Sequence, residues 1–296
     1  MVKSMSRLHK KIVLNLKQKL FIFMGILIFF GWYKNGILLY QNDFISFYKM
    51  ISVLFFPFIS YGIGAIGDYL SKNDDMFDNK FYALLYSLMI PFSTPLWAYA
   101  ILVSGLVFLN LLIKKFDLDI NIIVVFKLLM AIFLMFLGHY EYKNLLEVSN
   151  MFTYSFLDIL FGHNVSAIFT SNIIILLIGF GFLCFDSYYK KEISIFSYLI
   201  YLVSLVVLAV VKGDITFLLT NMLSSSVLFA LIFIATLPMF SPYSQKRVFI
   251  YSLILGITIL PLSMLSNFYE GVYISIFLAN SLIILLKMFP NQTKTM

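Results

Sequence analysis

Charge is what this chain has least of. Of its 296 residues only 12% are Asp, Glu, Lys or Arg, about half the share in an ordinary soluble domain, while 61% are hydrophobic. A soluble core of this length cannot bury that much apolar surface. A bilayer can, because lipid replaces water against the apolar faces. Cysteine is nearly absent too: Cys184 stands alone in an apolar run. One thiol makes no internal disulfide and no Cys-x-x-Cys metal site, so it reads as a packing residue. The three histidines, His9, His139 and His163, show neither HExxH nor paired spacing, which argues against a metal centre. There is no Walker loop, no GxGxxG, and no nucleophile with a base at motif spacing. No polar connection is long enough to hold a soluble catalytic domain.

What is present fits an all-α integral membrane protein. The 33 phenylalanines and 19 tyrosines are explained by packed, lipid-facing helices and carry no functional weight. The net charge of +7 does not imply nucleic acid, because positive charge on membrane proteins collects in cytoplasmic loops and fixes orientation. The first nineteen residues, MVKSMSRLHKKIVLNLKQK, are basic, and an apolar stretch follows. A signal peptide would end in a small-residue cleavage site. Here the chain reads GWYKNG and continues into further apolar sequence, so residues 1–17 read as a cytoplasmic amphipathic lead into a retained span.

A span needs about 20 apolar residues. Candidate segments lie at 18–38, 44–66, 79–91, 95–113, 120–138, 166–185, 193–211, 215–237, 248–266 and 271–289. The first is interrupted at Lys34-Asn35. The third is short and stops at Pro91-Phe-Ser-Thr-Pro95, the pattern of a half-helix with a broken tip. With about ten spans and the N-terminus inside, the inner loops and span ends take Lys3, Arg7, Lys10, Lys11, Lys17, Lys19, Lys72, Lys80, Lys114, Lys115, Lys190, Lys191, Lys246, Arg247, Lys287 and Lys294. The outer ones take only Lys34, Lys49, Lys143 and Lys212, and Lys127 falls within a span. Adding or losing one span would invert everything after it and spoil this asymmetry. The expectation is a multi-pass protein of a bacterial inner membrane with both termini cytoplasmic.

An internal repeat shows in the prolines. Pro91 and Pro95 flank three residues, as do Pro238 and Pro242, and the two pairs are offset by 147 residues. Each pair lies between the third and fourth span of its own half. An odd number of spans per half places the halves in opposite orientations, so the expected architecture is two inverted five-helix repeats with Pro-broken hairpins. They occupy 18–138 and 166–289, with an extracytoplasmic loop at 139–165 between them and a cytoplasmic tail at 290–296. The alternative is that both Pro-x-x-x-Pro stretches are plain turns between spans.

Several of these segments resemble the RnfD/NqrB family, membrane subunits of ion-translocating electron-transport complexes. Ala235-Thr-Leu-Pro-Met-Phe-Ser-Pro242 is similar to the family's ATDPVTSP, and Tyr269-Glu-Gly-Val272 with Asn280 beyond it to YPEGV…LLxN. Leu88-Met-Ile-Pro91 through Thr94-Pro-Leu-Trp97 is similar to LALTLPPxxPLW. Asn121 and Lys127 fall at the Asn and Arg of FNPAxxGR, and Val165-Ser-Ala-Ile-Phe-Thr-Ser171 follows the rhythm of GSLGETS. Order and spacing agree over about residues 80–290. The resemblance implies a flavin, FMN or riboflavin, passing electrons between partner membrane subunits, with ion translocation as the coupled event. It makes Thr153, Ser149, Lys127, Asn121, Ser166, Thr170 and Ser171 the candidate cofactor-binding residues.

The departures shape that expectation. The Asp of ATDP is Leu237, and the glycines and glutamate of GSLGETS are Val165, Ile168 and Phe169. The family esterifies FMN to the Thr of an SGAT motif. The corresponding stretch here is Val148-Ser-Asn-Met-Phe-Thr153, with Phe152 in register and Thr153 one residue late. The resemblance therefore implies a flavin held non-covalently rather than through Thr153. The apolar replacements keep two other readings open: a non-redox transporter or channel on the same repeat, or a membrane scaffold that has lost the cofactor.

Individual polar residues have bland readings beside these. Lys127 either snorkels to the inner face, pairs, or faces a wet cavity. As a point charge it would suit a flavin phosphate or ring carbonyl. Glu270 reads as a surface or capping carboxylate in preference to a cation site. Asp186 reads as interfacial beside Lys190 and Lys191, and Asn221 and Asn280 as interhelical hydrogen-bonding groups. Ser224-Ser225-Ser226 reads as small residues permitting close helix packing. Ser166, Thr170 and Ser171 either line a flavin pocket or cap the sixth span. His139 and Glu141 read as loop residues.

Overall fold

The computed structural model describes residues 7–71, 77–116, 121–141, 156–162, 166–213, 215–238, 240–242, 244–265 and 270–288. Among these the regular structure is entirely helical. The helices are α1 (Arg7–Gly31), which runs through a π-helical turn at Trp32–Leu38 into α2 (Leu39–Gln41), then α3 (Phe47–Ser71), α4 (Asn79–Ser87), α5 (Leu96–Lys115), α6 (Ile122–Phe136) and α7 (Phe156–Leu160). The second part has α8 (Ile173–Leu183), α9 (Lys191–Lys212), α10 (Ile215–Met222), α11 (Ser225–Phe229) with a π-helical continuation at Ala230–Ile234, α12 (Gln245–Leu265) and α13 (Gly271–Met288).

Among the described residues, five helices are long and apolar enough to cross a bilayer: Asn15–Gln41, Phe47–Ser71, Leu96–Lys115, Lys191–Lys212 and Gln245–Leu265. Shorter apolar helices lie at Ile122–Phe136, Ile173–Leu183, Ser225–Ile234 and Gly271–Leu285. Large apolar side chains point outward along them, Phe29, Ile132, Phe136, Val211 and Leu265 among them. Water would not tolerate so extended an apolar surface, whereas hydrocarbon does. The protein is a multi-pass membrane protein.

Inside, α3 packs on α4 and α5, and α12 packs on α9 and α13. The two sets meet where α6 touches α13 and where α1 lies against α4 and α8. Close approaches are made at glycines. A Cβ on Gly64 would stand 2.7 Å from Lys80 Cα, and one on Gly271 would stand 2.2 Å from the Ser263 backbone nitrogen, so no larger residue fits either contact.

Several expected spans are not continuous helices. The segment 215–237 breaks at Leu223-Ser224 between α10 and α11, and Ser224 Oγ and Ser226 Oγ lie 3.0 Å apart. The serine triplet thus makes a chain break as well as a close-packed site. The segment 166–185 is non-helical over 166–172, with a turn at Ile168-Phe169, and becomes helical only at Ile173. Conversely, Lys34-Asn35 does not interrupt the first helix. The π-helical turn absorbs them, and Lys34 is buried within the span instead of lying at its outer end.

The broken helices explain where their backbone groups go. Asp78 caps α4, accepting from Phe81 N at 3.0 Å, and Asp68 accepts from Asn79 N at 2.6 Å. Lys17 and Lys80 neutralise this cap. At the other end Pro91 supplies no N–H and α4 stops after Ser87. The carbonyls left over find other donors: Met89 O accepts from Lys127 Nζ at 3.1 Å, and Ile90 O from Ile168 N at 3.0 Å. In the second part, the carbonyls of the π-helical stretch are met by hydroxyls. Ser194 Oγ donates to Leu231 O at 2.8 Å, and Tyr189 OH and Thr236 Oγ1 donate to Ile232 O at 3.0 and 2.6 Å. Backbone that leaves regular helix inside a membrane protein must be satisfied by protein in this way.

Candidate functional site

Lys127 lies within α6, which begins when Asn121 Oδ1 accepts from Val124 N at 3.4 Å. Glu270 immediately precedes α13. Because α6 packs on α13, the two side chains meet: Lys127 Nζ is 3.0 Å from Glu270 Oε1. Tyr140 OH, just past the end of α6, donates to the same carboxylate oxygen at 2.7 Å. The ammonium donates to Met89 O and stands 5.3 Å from the Tyr273 ring centroid. Lys127 is 1% and Glu270 3% exposed. Two charges taken this far from water persist only when paired and hydrogen-bonded, and here each has both kinds of partner. The lysine therefore does not snorkel, and the glutamate is not a surface or capping carboxylate. The reason is tertiary: Glu270 is the last residue before a helix whose first turn faces α6.

A column of aromatic rings lies alongside. Tyr86 stacks on Tyr99 at 6.3 Å, Phe126 meets Tyr86 edge-on at 6.2 Å, and Phe56 meets Tyr99 edge-on at 4.8 Å. Tyr99 OH hydrogen-bonds Ser60 Oγ. Tyr86 OH is buried with no hydrogen-bond partner among the described residues.

The tip of α4 meets the non-helical run 166–172, whose residues are all buried. Thr170 N bonds back to Ala167 O at 3.4 Å. The residue that caps α8 is Asn172, whose Oδ1 accepts from Ile175 N at 3.0 Å, not Ser166, Thr170 or Ser171. Asn172 holds that role because it is the residue directly preceding the helix. Ser171 Oγ, Asn121 Nδ2 and Thr94 Oγ1 are buried and lack hydrogen-bond partners among the described residues. Thr153 and Ser149 lie outside the described residues.

Other sequence readings resolve differently. Asp186 is buried, pairs with Lys19 of α1 at 2.9 Å and accepts from Tyr188 N at 3.0 Å. Asn221 Nδ2 donates to Phe217 O within its own helix at 2.8 Å. Asn280 of α13 is buried, with its side chain beside the Tyr251 hydroxyl of α12. Three features escaped sequence reasoning: the Lys127–Glu270 pair, the buried Lys34, and the use of Lys49 and Lys190 on the proline turns. Lys49 Nζ donates to Thr94 O at 3.1 Å; Lys190 Nζ donates to Ser241 O at 2.9 Å and to Pro242 O at 3.0 Å. The matched proline offset was the one signal that pointed to this last pair of sites.

The sequence profile described as the NQR2, RnfD, RnfE family matches residues 15–295. The chain belongs to the NQR2, RnfD, RnfE family. The match spans every described helix except the first turns of α1. Membership makes this chain an Rnf/Nqr-type membrane subunit, of a family that works in multi-subunit membrane complexes. Among individual curated proteins, none matches the chain.

Asn121 Nδ2, buried and without a hydrogen-bond partner among the described residues, fits a carbonyl or ring-nitrogen acceptor of an isoalloxazine, and the single O–H of Ser171 suits one further acceptor. Lys127 is paired with Glu270.

Proposed function

We propose that the chain is the flavin-carrying subunit of an Rnf/Nqr-type electron-transport complex in a bacterial inner membrane, with both termini cytoplasmic. The observation that carries this reading is the junction between the broken tip of α4 and the buried run 166–172, together with Ser171 Oγ and Asn121 Nδ2, which are buried without hydrogen-bond partners among the described residues in segments that resemble the family's motifs. A bound flavin supplies the redox chemistry. Ser166, Thr170, Ser171 and Asn121 hold and orient it without a covalent bond, and the surrounding apolar helices exclude water. Partner membrane subunits supply and accept the electrons. The chain Tyr140–Glu270–Lys127–Met89 O supports coupling to ion movement, as it links the end of α6 to the broken tip through charged groups.

The architecture we infer is two inverted five-helix halves. Two things support it. Short helical stretches end at Ser87 and at Ile234, each four residues before the first proline of its pair, Pro91 and Pro238. In each, a lysine at the start of a following or preceding long helix donates to the carbonyl just before the second proline, Thr94 O in one and Ser241 O in the other. Thr94 and Ser241 are themselves 147 residues apart.

The reading is tested by reconstituting the chain with its co-purifying membrane partners in liposomes and supplying an electron donor on one face. Donor-dependent bleaching of flavin absorbance is expected. Solute flux without any donor, or full activity of the isolated chain alone, would instead favour a transporter on the same scaffold. Buried Leu237, Ile168 and Phe169 at motif positions are the observation behind that second reading.

A further inference from the structure

Lys34 lies in the π-helical turn, seven residues before the helix ends at Gln41, about 10 Å along the axis. It is 5% exposed. The π-helical turn sets its direction. With an extra residue in the turn, Lys34 and its neighbour Asn35 both reach the same part of the chain: Lys34 Nζ donates to Gly162 O and Asn35 Nδ2 to Ile168 O.

The charge has no carboxylate beside it among the described residues. Asp68 and Asp78 serve Lys80 and Lys17, Asp186 serves Lys19, and Glu270 serves Lys127. An ammonium has three N–H donors, and one carbonyl uses one of them. A buried cation in a membrane protein with neither a counter-charge nor a full set of acceptors is a functional site by default.

The neighbourhood is built closely around it. Gly162 has φ +90°, and a Cβ there would stand 3.1 Å from Lys34 Nζ and 2.9 Å from Ser171 O. Lys34 Nζ and the backbone of Ser171 therefore both lie against Gly162. Ser171 Oγ, 1% exposed, is a donor with no partner among the described residues.

We propose that Lys34 and Ser171 form an anion site that takes a phosphate group. Two free ammonium N–H groups and a hydroxyl need an acceptor with oxygens on several sides and a negative charge, which a phosphate provides. Lysine binds such a group as a point charge and needs no forked geometry. The phosphate can belong to a flavin mononucleotide or to a lipid headgroup. The site rests on Lys34 itself, and inorganic phosphate, which carries no isoalloxazine, tests it separately from the flavin reading.

The full-length protein, delipidated in uncharged detergent, is titrated with inorganic phosphate, flavin mononucleotide, riboflavin and a short-chain phosphatidic acid while its unfolding midpoint is followed. The three phosphate-bearing probes are expected to raise the midpoint of the wild type. Lys34→Met is expected to abolish that rise and Lys34→Arg to keep part of it, with riboflavin acting equally on wild type and Lys34→Met. A preference for flavin mononucleotide over phosphatidic acid assigns the phosphate to the nucleotide, and the reverse assigns it to lipid. If Lys34→Met does not fold, Ser171→Ala carries the comparison and should weaken the phosphate response several-fold. No phosphate-dependent rise in the wild type, or an equal rise in Lys34→Met or Ser171→Ala, would overturn the site.

Discussion

Glu270→Gln is expected to destabilise the protein by about 3–5 kcal/mol, the usual cost of removing one partner from a buried ion pair. Glutamine keeps the shape of the side chain and an oxygen for Tyr140 OH, so the loss isolates the charge. Lys127 would then stand 1% exposed, beside Met89 O and the Tyr273 ring, without its counter-charge. Lys127→Met should cost a similar amount by stranding the carboxylate. The double variant should recover much of the loss, because replacing both buried charges with neutral groups is often close to neutral. Unfolding midpoints of the four proteins in one detergent measure this directly. Four equal midpoints would mean that the pair is solvated and contributes nothing.

The second large effect is expected at Gly271→Ala. The added methyl would lie 2.2 Å from Ser263 N, 2.3 Å from Ser263 Cα and 2.5 Å from Ser263 Oγ. Most of those atoms are backbone, so no rotamer change relieves the clash, and α12 and α13 must separate. Overpacking of this kind costs about 1–3 kcal/mol, sometimes more. Here it also moves Glu270, the adjacent residue, away from Lys127, which couples helix packing to the site. Gly181→Ala in α8 is the control, since its Cβ would meet nothing within 4 Å. Exchange of alanine for glycine in an unstrained helix is neutral to stabilising. Equal behaviour of the two variants in thermal unfolding would contradict the close α12–α13 contact.

Much of the architecture was legible in the sequence because membranes impose strong local rules. Apolar runs became helices, and the proline at position 91 ended a half-length helix. The short third segment read as a half-helix is α4, nine residues long. What failed was what depends on tertiary contact. Lys127 and Glu270 are far apart in sequence, and neither helical period nor residue type reveals that α6 and α13 touch. Glu270 looked like a surface group because its sequence position is a span boundary, yet the chain folds that boundary inward. Lys34 looked like an outer-end charge because a lysine normally ends a span; the π-helical turn kept the helix going past it. The caps were half legible: Asn121 and Asn172 both cap helices, while the nearby serines and threonine that share the same capping chemistry do not. The family motif positions were readable, since they are a pattern of residue types, but the donors left unpartnered at Ser171 and Asn121 are visible only once the neighbouring backbone is in place.

The most direct test of a flavin-carrying subunit is the flavin content of the detergent-purified protein, measured before and after denaturation beside a Thr153→Val variant. Flavin that is present in both proteins and released on denaturation is the predicted result, because the ester-forming position is occupied by Phe152 and the remaining donors bind without a covalent bond. Flavin retained through denaturation in the wild type and lost in the variant would show a covalent site displaced to Thr153. No flavin in either protein would contradict the redox assignment and leave transport or scaffolding as this chain's role.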